Sequence, residues 1–248
     1  MAVPATDIAD SDSHGWFLTL CAWGVHLYTA LGAIFGLLAI RYAAIGDFRA
    51  SFIAMAITIV IDSSDGTLAR FVNVKKRVPE FDGALLDNIV DYLTYVVAPV
   101  FLMLWAGLVS GTLGLAVAGF VLIASAYQFC QTNAKTPDNF FLGFPSYWNI
   151  VVFYLFCLRL PVGIDELILT ALAVMVFVPI KYIYPSRTKP LRPLTLTLGL
   201  IWAVVTVAML PSVPSYNPIL LYASLAYVAY YFIASFALHA RAWMTQSA

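Results

Sequence analysis

Eight apolar stretches, each near the length of a bilayer core, alternate with short polar joins along the chain. They cover residues 16–40, 48–70, 84–108, 112–132, 145–160, 164–184, 194–212 and 217–239. About 20 apolar residues cross a hydrocarbon core as a helix. The pattern therefore predicts an all-α, polytopic transmembrane bundle of about eight membrane-spanning helices. The fifth stretch is the shortest and continues from the loop before it. Pro161 with Gly163, Pro190 with Pro193, and Pro211 with Pro214 punctuate three of the joins. The first fifteen residues are polar and hold no Lys or Arg. They read as a loose cytoplasmic tail (1–15), since a signal peptide needs a basic start and a short apolar core. Residues 16–248 then form one membrane domain.

One break in this pattern matters most. Asp62, Asp65, Asp87 and Asp91 interrupt otherwise apolar sequence. A charge near a bilayer centre costs about 2.5–3.5 kcal/mol on insertion scales, and four carboxylates together also repel one another. Helical spacing puts Asp62, Asp65, Gly66 and Ala69 on one face, and Gly83, Asp87 and Asp91 on a face of the next helix. A polar, basic turn from Asn73 to Pro79 makes the two helices antiparallel, so the carboxylates converge. The glycines and Ala69 leave room for a ligand. Oxygen ligands of this kind suit Mg²⁺ or Mn²⁺, and two ions in such a cluster can clamp a phosphoryl group. A polar packing network, or a relay in a cation or proton transporter, also fits four buried carboxylates.

Composition and charge narrow the class. The 248-residue chain is 62% hydrophobic and 10% charged, with mean hydropathy +0.88; soluble domains carry about 25% charged residues. Net charge is zero, so no nucleic-acid partner is indicated. Cys21, Cys130 and Cys157 lie scattered in apolar segments and form no CxxC pair, which reads as packing rather than a disulfide or zinc site. The joins after the second, fourth and sixth stretches, with the C-terminus, hold ten of the thirteen basic residues: Arg70, Lys75, Lys76, Arg77, Lys135, Lys181, Arg187, Lys189, Arg192 and Arg241. Arg41, Arg49 and Arg159 lie on the other side. The positive-inside rule then puts the N-terminus and the aspartates at the cytoplasmic face.

The run Asp62-x2-Asp65-Gly66-x2-Ala69-Arg70, followed by Gly83-x3-Asp87-x3-Asp91, resembles the signature of the CDP-alcohol phosphotransferases, integral membrane enzymes that move a phosphatidyl or similar group from a CDP-linked donor to an alcohol. Twelve residues separate Arg70 from Gly83, more than is usual in the broad family. That gap resembles the bacterial phosphatidylcholine synthase branch, as do residues 86–99, 140–156 and 184–196. The resemblance implies an inner-membrane enzyme that condenses CDP-diacylglycerol with choline and releases CMP. It also implies that Asp62, Asp65 and Asp87 ligate Mn²⁺ or Mg²⁺, and that Asp91 shares a metal and acts as general base on the hydroxyl. By the same resemblance Asp62, Gly66, Ala69, Arg70 and Gly83 contact CDP-diacylglycerol, and the enzyme is a homodimer. Arg187, Lys189 and Arg192 either dock the donor's phosphates or set topology and touch anionic membrane lipids. A snorkelling role is the bland alternative for Arg70. Other acceptors of the same family, such as inositol phosphate, glycerol phosphate or serine, would want a basic pocket, and the basic residues at 181–192 keep them open.

Choline is a quaternary ammonium ion, best met by aromatic faces and a nearby carboxylate. Tyr92, Tyr95, Tyr147 and Trp148 are the candidate cage residues, with Tyr127, Phe140 and Phe141 close by and Glu80 or Asp82 as the carboxylate. Tyr and Trp also gather at membrane interfaces for physical reasons alone. Asn149 reads as polar glue between helices or a substrate contact, and His26 as a buried, hydrogen-bonded histidine. Gly32 and Gly36 form a GxxxG, a cue for close helix packing that extends to packing between subunits.

Overall fold

Inside a bilayer the backbone has no water to bond, so a long apolar stretch satisfies its own amides as a helix. The computed structural model describes residues 6–246, with side chains over 15–244. Residues 1–5 of the expected tail lie outside the described residues; from Thr6 the backbone already belongs to the first helix. The chain runs α1 (Thr6–Ala44), α2 (Phe48–Val72), α3 (Val74–Arg77), α4 (Gly83–Asp91), a π-helical turn (Tyr92–Val97), α5 (Ala98–Trp105) and α6 (Gly111–Cys130). It continues through strand β1 (Phe140–Leu142), α7 (Trp148–Leu158), α8 (Val162–Phe177), strand β2 (Lys181–Ile183), α9 (Arg192–Met209), a 3₁₀ turn (Leu210–Ser212) and α10 (Pro218–Gln246).

Each of the eight apolar stretches holds helix, but among the described residues six segments are long and apolar enough to cross a membrane. The protein is thus an all-α, multi-pass membrane bundle. The fifth and sixth stretches fall short. With 11 residues in α7 and 16 in α8, at 1.5 Å per residue, they reach about 16 and 24 Å against a core of about 30 Å. Pro161 and the left-handed Arg159 (φ 51°) stop α7 early. Trp148, Val152 and Cys157 of α7 are fully buried, so this helix is part of the core of the bundle.

The turn between α2 and α4 is more ordered than a basic loop. Asn73 adopts the left-handed conformation (φ 56°) that ends α2, α3 adds a single turn, and Asp82 caps α4 by accepting from the backbone N–H groups of Ala84 and Leu85 at 3.1 and 3.0 Å. A small cluster of Ala22, Val25, Val74 and Val78 pins α3 to α1. After Asp91 the helix widens into the π turn, closed by the Ala98 N–H bonding Leu93 O. The cause lies ahead of it: Pro99 has no N–H to donate and crowds the carbonyl four residues back, at Tyr95.

The GxxxG works within the chain. A Cβ on Gly32 would lie 2.6 Å from Val90 Cγ1, and one on Gly36 would lie 3.1 Å from Leu93 Cγ and 3.2 Å from Thr94 Cγ2. These glycines bring α1 against α4 and the π turn; they seat this pair of helices rather than a second subunit.

A two-stranded antiparallel ladder, Phe140 opposite Ile183 and Leu142 opposite Lys181, is a departure from pure helix. It joins the α6–α7 and α8–α9 loops, which sequence order keeps apart. Lys181 pairs with Asp138 at 2.7 Å. Burial works against the Asp138 charge, but hydrogen bonds from Lys181 and Thr136 outweigh it and hold the carboxyl below its ordinary value. Next to the ladder, Gly143 has φ +80°, and a Cβ there would meet the Val176 carbonyl oxygen at 2.2 Å. Gly143→Ala is expected to cost about 3 kcal/mol through strain and overlap, seen as a lower midpoint of thermal unfolding in detergent. An unchanged midpoint would mean that the loop yields freely.

Candidate functional site

The site begins with two helices held by their ends. The αL stop at Asn73 and the Asp82 cap bring the last turns of α2 beside the first turns of α4. Asp62, Asp87 and Asp91 then each offer one carboxylate oxygen, and all three oxygens lie within 4.8 Å of one another. Among the described residues none of the four aspartates forms an ion pair. Lys135 acts on Asp62, Asp87 and Asp91 electrostatically from a distance, and Arg70 acts on Asp65. Three carboxylates so close together, with no ion-pair partner among the described residues, fit a divalent cation held by hard oxygen ligands.

Asp65 departs from the expected foursome. It lies outside the 4.8 Å group, and its Oδ2 accepts a hydrogen bond from Thr29 Oγ1 of α1 at 2.8 Å. One oxygen is thereby held and the carboxylate is aimed at a neighbouring cleft, whose wall it forms. Asp62 is fixed in a similar way: the Tyr95 hydroxyl donates to its Oδ2 at 2.6 Å. Thr29 was not legible as a site residue. Its only trace in the sequence is a helical phase shared with Ala22 and Val25, which the packing alone identifies as the inward face.

The cleft has a volume of about 980 Å³. Gly66, Ala69 and Arg70 of α2, Gly83 and Asp87 of α4, Lys75 and Lys76 of α3, and Arg187 all border it. Arg187 comes from the loop between β2 and α9, so residues more than a hundred positions apart share one wall. Of the second basic cluster, Lys189 and Arg192 are exposed and do not border the cleft. Glu80, in the loop between α3 and α4, is on the cleft wall, and Asp82 is engaged as the α4 cap.

The aromatic candidates separate. Tyr95 and Tyr147 meet with ring centroids 6.1 Å apart, and Tyr147 also meets Phe141 edge-on at 6.1 Å and Tyr231 of α10 at 6.4 Å. Tyr95 ties this group to Asp62. Tyr92 turns away: its hydroxyl bonds the Leu122 carbonyl at 3.1 Å and its ring packs on Phe129. Trp148 is fully buried, with Nε1 donating to Ser125 Oγ at 2.7 Å. Both serve packing, because a long aromatic next to an inward-facing helix is the piece that fills the core. Tyr127 packs on Phe177, and Phe140 lies under Lys181. Asn149 is buried, its Oδ1 accepting from the Ile150 N–H. His26 is buried but not hydrogen-bonded at Nε2, contrary to expectation.

No family model matches the chain. Individual relatives do. The chain is 48% identical over 189 residues to the phosphatidylcholine synthase of Legionella bozemanae, covering 73% of this chain and 87% of that one. It is 40% identical over 222 residues to the phosphatidylcholine synthase of Legionella pneumophila, 87% of each chain. With that of Pseudomonas aeruginosa it shares 36% over 211 residues, 85% of this chain and 88% of the other.

Proposed function

The chain belongs to the phosphatidylcholine synthases, and from that premise we propose that it transfers the phosphatidyl group of CDP-diacylglycerol to choline at the Asp62–Asp87–Asp91 cluster, releasing CMP. The observation that carries this reading is the meeting of three carboxylate oxygens within 4.8 Å, next to a cleft with basic walls. In the reaction the choline oxygen bonds to the phosphorus that carries the diacylglycerol, the bond from that phosphorus to the CMP oxygen breaks, and the hydroxyl proton passes to Asp91. A hydroxyl is a weak nucleophile at neutral pH, so a positioned base is needed. Asp62, Asp65, Asp87 and Asp91 are the residues that would hold Mn²⁺ or Mg²⁺. Bound there, two such ions supply charge neutralisation for the pyrophosphate and for the leaving CMP. Tyr95 and Thr29 orient Asp62 and Asp65, so that the carboxylates need no rearrangement when substrate arrives. Arg70 and Arg187 meet the donor's phosphates, and Gly66, Ala69 and Gly83 let them approach the helix surfaces.

Choline's nitrogen is proposed to rest against Tyr95 and Tyr147, with Phe141 closing one side. A cation on desolvated aromatic faces gains about 2 kcal/mol. Tyr147→Ala should therefore raise the KM for choline about thirtyfold, and the KM for CDP-diacylglycerol far less. Equal effects on both substrates would remove Tyr147 from the acceptor site.

The enzyme is proposed to sit in the inner membrane as a homodimer with its site facing the cytoplasm. Support for the orientation comes from Lys75, Lys76, Arg70 and Arg187 gathering at one cleft, in keeping with the basic bias of that side. The deciding assay follows CMP release from CDP-diacylglycerol with choline, inositol phosphate, glycerol phosphate and serine in turn. Release with choline alone is expected. No release with choline sinks the assignment, and ion flux in proteoliposomes without CMP release would favour a transporter.

A further inference from the structure

Two basic side chains near the carboxylates have no acidic partner. Among the described residues the one ion pair joins Lys181 to Asp138. Lys135 and Arg187 instead approach the same ring. Lys135 Nζ is 6.0 Å and Arg187 Cζ 5.8 Å from the centroid of Tyr184. A cation within about 6 Å of an aromatic face is attracted by it. The backbone delivers each of them there. Lys135 forms an antiparallel bridge with Phe141, and the Arg187 N–H closes a turn on the Tyr184 carbonyl at 2.9 Å. Thr188 pins that turn, its Oγ1 accepting from the Tyr184 N–H at 2.8 Å.

Tyr184 also belongs to the aromatic group. Phe141 stacks on it, with centroids 4.5 Å apart and planes 29° apart, and Phe141 meets Tyr147 edge-on at 6.1 Å. Tyr95 follows at 6.1 Å, and its hydroxyl bonds Asp62. A row of rings therefore runs from the two cations to the carboxylates, with Tyr184 at its basic end. This placement answers a conflict of charge. The cluster attracts Lys135, which acts on Asp62, Asp87 and Asp91. Lys135 is exposed, and a lysine stem is flexible. Moved along the row, its charge would repel a quaternary ammonium and welcome a phosphate. Held at Tyr184 it does neither.

We infer that Tyr184 determines the charge of the acceptor: its ring holds Lys135 and Arg187 on the donor side of the Tyr184–Phe141 pair, which leaves the Tyr95–Tyr147 side open to a cation and closed to anionic alcohols. This rests on the acceptor reading above. Tyr184 is a positioning residue, acting through the two basic side chains. Basic residues can then stand close to a site for a cation, because they serve the donor, whose cleft Arg187 borders.

The test uses the full chain in detergent micelles with Mn²⁺. Tyr184→Leu removes the π face and keeps an apolar side chain. It is expected to raise the choline KM about tenfold, the effect of a like charge admitted to roughly 12 Å at an effective dielectric constant near 20. Its kcat should change by less than about threefold. The same variant should release CMP with glycerol phosphate, an acceptor the wild-type chain is expected not to use. Tyr184→Phe keeps the π face and should match wild type within about threefold on both counts. Adding Lys135→Gln to Tyr184→Leu should restore most of the choline affinity and abolish the gain with glycerol phosphate, a rescue that lost packing would not allow. Lys135→Gln alone should leave the choline KM within about twofold of wild type. A larger fall would place its charge in the acceptor site and overturn the inference, so this variant decides if Tyr184→Leu does not fold. An unchanged choline KM in Tyr184→Leu, an equal loss in Tyr184→Phe, or no rescue by Lys135→Gln would each overturn it too. Calorimetric binding of tetramethylammonium needs no turnover. If the wild-type chain fails to release CMP with choline, the activity assignment falls, but a tenfold loss of tetramethylammonium affinity in Tyr184→Leu, on the order given above, still supports the role of Tyr184. Unchanged affinity, or no binding to the wild-type chain, overturns it.

Discussion

Asp91→Asn is expected to lower turnover by about 10²–10⁴-fold, the range that a positioned general base contributes. Asparagine keeps the shape of the side chain and its place within 4.8 Å of Asp62 and Asp87, but it cannot take the proton of the choline hydroxyl. Donor binding should survive in part, because the cleft walls that carry Arg70 and Arg187 are untouched. The measurement pairs CMP release with equilibrium binding of CDP-diacylglycerol to the same preparation. Loss of turnover with binding within a few-fold of wild type is the expected pattern. Turnover unchanged would remove Asp91 as the base, and loss of binding in step with turnover would reduce it to a ligand or structural group.

Stripping divalent cations with a chelator should abolish activity, and adding back Mn²⁺ or Mg²⁺ should restore it. The physical reason is the charge balance of the cluster. Asp62, Asp87 and Asp91 bring three carboxylates together with no ion-pair partner among the described residues, and a donor pyrophosphate adds further negative charge. Without cations the cluster repels the substrate it should hold. Asp87→Asn removes one of the three oxygens' charges while leaving the helix cap at Asp82 intact. This variant should need a markedly higher cation concentration for half-maximal activity, about tenfold or more if one charged ligand contributes 1.4 kcal/mol or above. Activity that persists in chelator, or an Asp87→Asn enzyme with an unaltered cation requirement, would overturn the metal reading.

The extent to which the site could be read from the chain differs from one residue to the next. Asp62, Asp87 and Asp91 were legible because helical periodicity is local: spacing of three and four fixes a face whatever surrounds it. Asp65 shares that periodicity with Asp62, but its partner is Thr29 on another helix, and no local rule distinguishes an inward threonine from any other. Tyr92 and Tyr95 looked equivalent at three residues' separation. The π turn caused by Pro99 and the packing of α6 decide between them, sending Tyr95 to Asp62 and Tyr92 to Leu122. Lys189 and Arg192 carry the same charge as Arg187, yet Arg187 alone of the three borders the cleft, because a loop's side-chain directions depend on what anchors it. Here Thr188, buried between Arg187 and Lys189, donates to the Asn139 carbonyl across the β1–β2 ladder.

What the sequence determined by itself was the class of molecule and the chemistry of its central motif. Apolar runs of membrane length can only be helices, since hydrocarbon offers a backbone no other partner, and carboxylates set in such runs at helical intervals must share a face. The tertiary structure decided which of those groups meet. It made a trio out of four aspartates, assigned the GxxxG to a contact within the chain, and separated cage candidates from core. It also brought Arg187 and His26 to a common cleft. These outcomes depend on the relative rotation of whole helices, which is set by packing summed over many residues, and such sums are not written in any one stretch of the chain.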